Sequence, residues 1–170
     1  MSGMLRRDDE AHAAFTEFAT VLTPRLFRTA LLMCGDWHLA EDLVQTTLGK
    51  LFVAWKKVER ADSREAYARG VLTKTFLSHR RVRRNSELPS IDLGVDVSAP
   101  GVPDRLELFE ALRTLDPTDR AVVVLRYWEE RTVAETAAVV GLSDGAVRTR
   151  ASRALGRLRV ELSGEAASAS

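Results

Sequence analysis

Residues 132–159 read TVAETAAVVGLSDGAVRTRASRALGRLR, and this stretch decides the fold. Val133, Ala137 and Val140 recur at helical spacing, Gly141 suits the left-handed residue that stops a helix, and Ser143 is placed to cap the next one. On that second helix, at about 100° per residue, Val147, Ala151, Ala154, Leu155 and Leu158 form one stripe. Arg148, Thr149, Ser152, Arg153 and Gly156 fall opposite. Apolar side chains go in; guanidinium, hydroxyl and small side chains face out. The layout is a helix-turn-helix, whose second helix enters the major groove, where arginine pairs with guanine edges or phosphates. Arg150 lies on the flank, where phosphate is the expected contact, and Arg157 and Arg159 serve equally well as solvating charges.

Working outward, residues 108–132 supply the supporting helices. Asp116-Pro117 starts one of them, and Val122, Val123, Leu125 and Trp128 are expected to pack beneath the turn. The preceding segment, residues 85–104, holds three of the five prolines, four acidic residues and no Lys or Arg, which predicts a flexible connector. It divides the chain into a helical unit at 11–84 and another at 105–162. Residues 1–10 and the tail 163–170 carry too little apolar content to pack and are expected to be disordered.

The 170 residues, 45% of them hydrophobic, suffice for one sizeable core or two small ones. Strand alternation is rare and Ala, Leu, Arg and Glu dominate, so the fold class expected is all-α: two small helical domains joined by a flexible linker. The formal net charge of +1 gives no whole-protein argument for nucleic acid, which must rest on local clusters. A single cysteine, Cys34, excludes an intramolecular disulfide, and no leader or membrane-spanning run stands out, so the cytoplasm is the expected compartment, with no membrane partner.

In the first unit, residues 37–55 place Val44, Leu48, Leu51 and Trp55 on one helix face and Asp42, Gln45 and Gly49 on the other. A carboxylate, an amide and a gap fit a docking surface for a partner helix, although exposed Asp and Gln are also ordinary solvated residues. Residues 62–87 carry seven basic against three acidic residues and include the run HRRVRR. This helix should bury Ala68, Val71, Leu72 and Thr75, turn Gly70, Lys74 and Arg81 outward, and hold Tyr67 and Phe76 at the boundary, as base-stacking platforms or as core. Arg80, Arg81, Arg83 and Arg84 repel one another unless an anion neutralises them.

Enzymatic chemistry is poorly provided for. Cys34, His12, His38 and His79 are too few and too scattered for a metal site, and no phosphate-cradling glycine loop occurs, so no catalytic residue, metal or cofactor is expected.

Two helical units, an acidic joint, a basic aromatic helix and a helix-turn-helix together resemble a bacterial sigma factor of the extracytoplasmic-function group, over residues 11–162. AEDLVQTTLGKLFVAW (40–55) is similar to the family's region 2.2 and LSDGAVRTRASRALGRLR (142–159) to its region 4.2; residues 65–84 are most similar to an actinobacterial branch. The resemblance implies that the chain binds core RNA polymerase and directs promoter-specific initiation. Asp42, Gln45 and Thr46 would meet the β′ clamp helices, with Thr46 standing where members often have Glu. Region 4 would sit at the β flap. Tyr67, Gly70, Lys74, Arg80, Arg81, Arg83 and Arg84 would contact the minus-ten element and its melted strand, Lys74 replacing a frequent Asn. Arg148, Thr149, Ser152 and Arg153 would face the minus-thirty-five element, Ser152 replacing a bulkier side chain. Many members are silenced by an anti-sigma protein, which becomes a candidate partner.

Two other readings share these residues. A self-sufficient helix-turn-helix regulator would bind promoter DNA unaided, as a dimer on a palindrome. A helical adaptor would use its arginines for solubility alone.

Overall fold

The computed structural model describes residues 1–85 and 106–168. Among these the order is α1 (Ser2–Cys34), α2 (Trp37–Val53), α3 (Trp55–Arg60), α4 (Arg64–Asn85), α5 (Leu106–Arg113), α6 (Pro117–Val123), a π-helical turn (Val124–Trp128), α7 (Val133–Val140) and α8 (Asp144–Ser168). The described residues contain no strand, in keeping with the expected all-α class. Beyond Asn85, at the end of α4, the predicted connector lies outside the described residues.

Local chemistry sets the helix ends. Gly35 stops α1 at φ 67°, its N–H returning to the Leu31 carbonyl at 2.8 Å, a backbone conformation that a Cβ would strain. Asp36 then caps α2 by accepting from the Leu39 N–H at 3.0 Å. Asp116 does the same for α6, accepting from the Asp119 N–H at 2.9 Å with Pro117 in the first turn, as the sequence predicts.

Both chain ends depart from expectation. Residues 2–10, assigned above to a disordered segment, continue α1 although every one of them is exposed. They contain no proline and only one glycine, so local helix propensity carries the helix past its packed part. At the other end α8 runs to Ser168, beyond the boundary expected at 162, although among the described side chains Leu162 is the last that packs on the core.

The two units predicted from sequence share one core. Leu26, Leu32, Met33, Leu43, Leu51, Leu72 and Phe76 from the first join Phe109, Leu112, Leu115, Leu125, Ala154 and Leu158 from the second. A smaller satellite core of Val122, Ala137, Val147 and Ala151 holds the helix-turn-helix together.

Three arginines donate to carbonyls at the end of α1: Arg120 and Arg113, from the second unit, to Met33 (2.7 Å) and Gly35 (3.0 Å), and Arg80, within the first, to Cys34 (3.4 Å). Cations suit this end of a helix, where carbonyls lack intrahelical donors. Arg120 also donates to Leu112 and Leu115, each at 2.9 Å, and so ties α5 to α6 as well. Burial, reinforced by neighbouring Arg80, lowers the Arg120 pKa to about 10, which leaves it charged at neutral pH. Burial likewise pushes the enclosed Cys34 thiol up to about 11.

Candidate nucleic-acid interface

The helix-turn-helix is built as its sequence predicts. Thr132 caps α7 by accepting from the Glu135 N–H at 3.1 Å, and its hydroxyl also meets the Glu135 carboxylate at 3.1 Å. Gly141 ends α7 at φ 73°, and Ser143 accepts from the Ala146 N–H at 3.1 Å to open α8. Val147, Ala151, Ala154 and Leu158 are buried and Leu155 is half-buried, whereas Arg148, Thr149, Ser152, Arg153 and Gly156 are exposed along the opposite face. Two guanidiniums, two hydroxyls and an open position thus form a strip suited to a groove of double-stranded DNA.

The remaining arginines of α8 are less uniform. Arg150 donates to Asp119 at 2.8 Å and lies 3.7 Å from Asp116. The bond to Asp119 raises its pKa, so the charge expected on the flank for phosphate is committed within the protein. Arg157 donates to the Thr114 carbonyl at 3.1 Å. Arg159 is exposed.

The α4 surface is more enclosed than expected. Lys74 is exposed and Tyr67 is half-buried against the shared core. Gly70 faces α7: a Cβ built there would lie 3.7 Å from Val139 Cγ2. Phe76 is 0% exposed, which makes it core and removes it as a base-stacking platform. Of the two alternatives for Phe76 the structure takes the core, because α1, α2, α3, α6 and α7 all pack on α4 and little of its circumference remains open. Arg80 also turns inward, its guanidinium 5.7 Å from the Phe76 ring while it donates to Cys34, rather than lying with a strand-binding run. Arg81, Arg83 and Arg84 belong to the last turns of α4, but their side chains lie outside the described residues.

On α2, Asp42, Gln45, Thr46 and Gly49 are exposed, while Leu43, Val44, Thr47 and Leu51 are buried behind them. The sequence-predicted residues therefore occupy three faces, on α2, α4 and α8. Among the described residues no group of three or more His, Cys, Asp or Glu side chains could hold a metal, and no helix is long and apolar enough to cross a membrane.

Sequence reasoning missed Arg69, Glu129 and Arg120. Arg69 Nε meets a Glu129 carboxylate oxygen at 2.8 Å, with the two side chains only 10% and 12% exposed, and the Thr29 hydroxyl donates to the same carboxylate. Trp128, expected in the core, is 39% exposed. The π turn explains this: the Glu129 N–H bonds to Val124 at 2.9 Å, five residues back, so residues after Leu125 leave the α-helical register.

Residues 18–86 match the family described as Sigma-70 region 2, and residues 111–160 match Sigma-70, region 4. The chain is 36% identical over 151 residues to the RNA polymerase sigma-E factor of Streptomyces coelicolor, covering 87% of this chain and 85% of that protein. It is 31% identical over 163 residues to the ECF RNA polymerase sigma factor SigL of Mycobacterium tuberculosis, covering 88% and 87%. The fold is similar to the sigma factor RpoE of Bartonella quintana, solved in complex with the anti-sigma factor NepR, at a TM-score of 0.74 and 25% identity over 88% of this chain and 97% of that one.

Proposed function

The chain belongs to the RNA polymerase sigma factors with sigma-70 regions 2 and 4, within their extracytoplasmic-function group, and from this we propose that α2 docks the polymerase, α4 engages the upstream promoter element and α8 reads the distal one. The protein binds core RNA polymerase and promoter DNA and directs promoter-specific initiation, reading the minus-ten and minus-thirty-five elements and assisting melting. It acts by binding, with no covalent chemistry of its own, in the cytoplasm.

The observation that carries the assignment is the α8 strip, on which Arg148, Thr149, Ser152 and Arg153 are all exposed over a buried stripe. Residues 105–162 form the module that meets the minus-thirty-five element and the β flap. Residues 11–84 form the module for the β′ clamp helices, through Asp42, Gln45 and Thr46, and for the minus-ten element, through Tyr67, Gly70, Lys74 and the arginines closing α4. Residues 85–104 link them. An anti-sigma protein is a further partner, a reading supported by the similar RpoE–NepR complex. Each module offers few phosphate contacts, so each alone binds weakly and loses affinity steeply with salt. Held together on the polymerase, the two act at high effective concentration.

The test separates docking from DNA reading. Asp42→Arg should lower association with core polymerase by about tenfold or more, as a like charge placed in a docking surface does. Arg148→Ala with Arg153→Ala should leave that association intact and abolish promoter selection. Undiminished core binding by Asp42→Arg would remove α2 from the docking role.

A further inference from the structure

The arginines of α8 are divided between two faces. Arg148 and Arg153 are exposed on the strip assigned to the distal element. Arg150 and Arg157 stand seven residues apart, hence within about 20° of each other around the helix, on the flank that borders α5 and α6. Both are tied there. Arg150 donates to Asp119 at 2.8 Å with Asp116 at 3.7 Å, and Arg157 donates at 3.1 Å to the Thr114 carbonyl, just past the end of α5. Asp119 is only 8% exposed and Asp116 is the cap of α6, so the Arg150 tie ends on a fixed part of the scaffold. What lies beneath makes such a tie matter. The first half of α8 is seated through Val147, Ala151 and Ala154, and two of these side chains are single methyls. Low ridges set how deeply a helix packs but oppose rolling about its axis weakly. At a side-chain radius of about 5–6 Å, a roll of about 20° carries a reading group sideways by about 2 Å. That is well beyond the roughly 0.5 Å span of good donor–acceptor distances.

We infer that Arg150 is a positioning residue: paired with Asp119 it fixes the roll of α8 on the α5–α6 corner, and so determines which base pairs Arg148, Thr149, Ser152 and Arg153 read. The inference rests on the assignment of α8 to the distal element. It makes Asp119 a specificity determinant that touches no DNA. Arg153 depends on the pair most closely, since it follows Arg150 by three residues and precedes the second tie, at Arg157, by four. A phosphate-contacting Arg150 has a different signature, because neutralising one phosphate fewer weakens all sequences alike and lowers the salt slope by about one.

The experiment uses holoenzyme formed from the full chain and core polymerase, titrated with single-base variants of the distal element at several salt concentrations. Asp119→Asn removes the charge that holds Arg150 and alters no group assigned to DNA. It should cut the preference for the best site over its variants by about tenfold while the salt slope stays unchanged. As a second arm, Asp119→Arg with Arg150→Asp rebuilds the pair with its charges exchanged and should recover most of that preference, although α8 has lost a cation. Asp119→Asn decides the matter even where the exchanged pair does not fold. An unchanged base preference in Asp119→Asn would overturn the inference. So would tighter binding of every site with a steeper salt slope, the result of freeing Arg150 for phosphate. A parent holoenzyme indifferent to substitutions in the distal element would instead overturn the assignment of α8 beneath the inference, and the inference with it.

Discussion

Replacing Arg120, a residue only 6% exposed, by methionine keeps an unbranched apolar stem and removes the guanidinium. The Leu112 carbonyl still accepts from the Leu115 N–H at 3.1 Å, so the loss falls mainly on the Met33 and Leu115 carbonyls. Two carbonyls stripped of donors at a buried junction cost about 2–6 kcal/mol together. Methionine also escapes the burial and the Arg80 repulsion that lower the Arg120 pKa to about 10, together a relief of about 3 kcal/mol. With the weakened Leu112 bond included, the net destabilisation is about 2 kcal/mol. Lysine keeps a desolvated charge but cannot reach three divergent carbonyls with one ammonium, so Arg120→Lys should be worse, at about 4 kcal/mol. Urea unfolding at neutral pH, followed by the fluorescence of Trp37, Trp55 and Trp128, measures both. A methionine variant as stable as the parent, or a lysine variant more stable than the methionine one, would refute the reasoning.

Phe76→Ala should cost about 3–5 kcal/mol in the same unfolding experiment, the usual penalty for a fully buried aromatic, whereas a base-stacking Phe76 would lose DNA binding at little cost in stability. Arg153→Ala should weaken holoenzyme binding to the distal element by about 1–3 kcal/mol and relax its preference at one base pair, measured with single-base variants of the site. Cys34 has its folded pKa raised from 9.0 to about 11, so the native state keeps a proton that the unfolded chain loses in this window. Stability should therefore fall as pH rises from 9 to 11, by about 3 kcal/mol at most, and Cys34→Ala should remove that part of the slope in paired denaturation curves.

The helix-turn-helix was legible residue by residue because its signals are local. Gly141 must be left-handed, Ser143 caps at fixed spacing, and α8 buries one face only. The Asp42 face of α2 was legible for the same reason. Phe76 was left between core and surface because amphipathic spacing assumes an open side, and α4 has helices around most of its circumference. Arg120 was illegible because its partner at Met33 is distant in sequence; its position just before the buried run Ala121–Leu125 was the available hint. Trp128 was lost to the π turn, which no helical periodicity announces. The Arg69–Glu129 pair depends on both of these features, a crowded α4 and an irregular corner, so it emerges only from the packing of the two units.

Run-off transcription tests the central claim most directly, with purified core polymerase on promoter fragments in the presence and absence of this chain. Defined transcripts should appear only when the chain is present, disappear with Asp42→Arg through lost polymerase binding, and disappear with the Arg148→Ala, Arg153→Ala protein although polymerase binding persists. Transcripts that are unaffected by both changes, or tight sequence-specific binding of duplex promoter DNA by the chain alone, would contradict it.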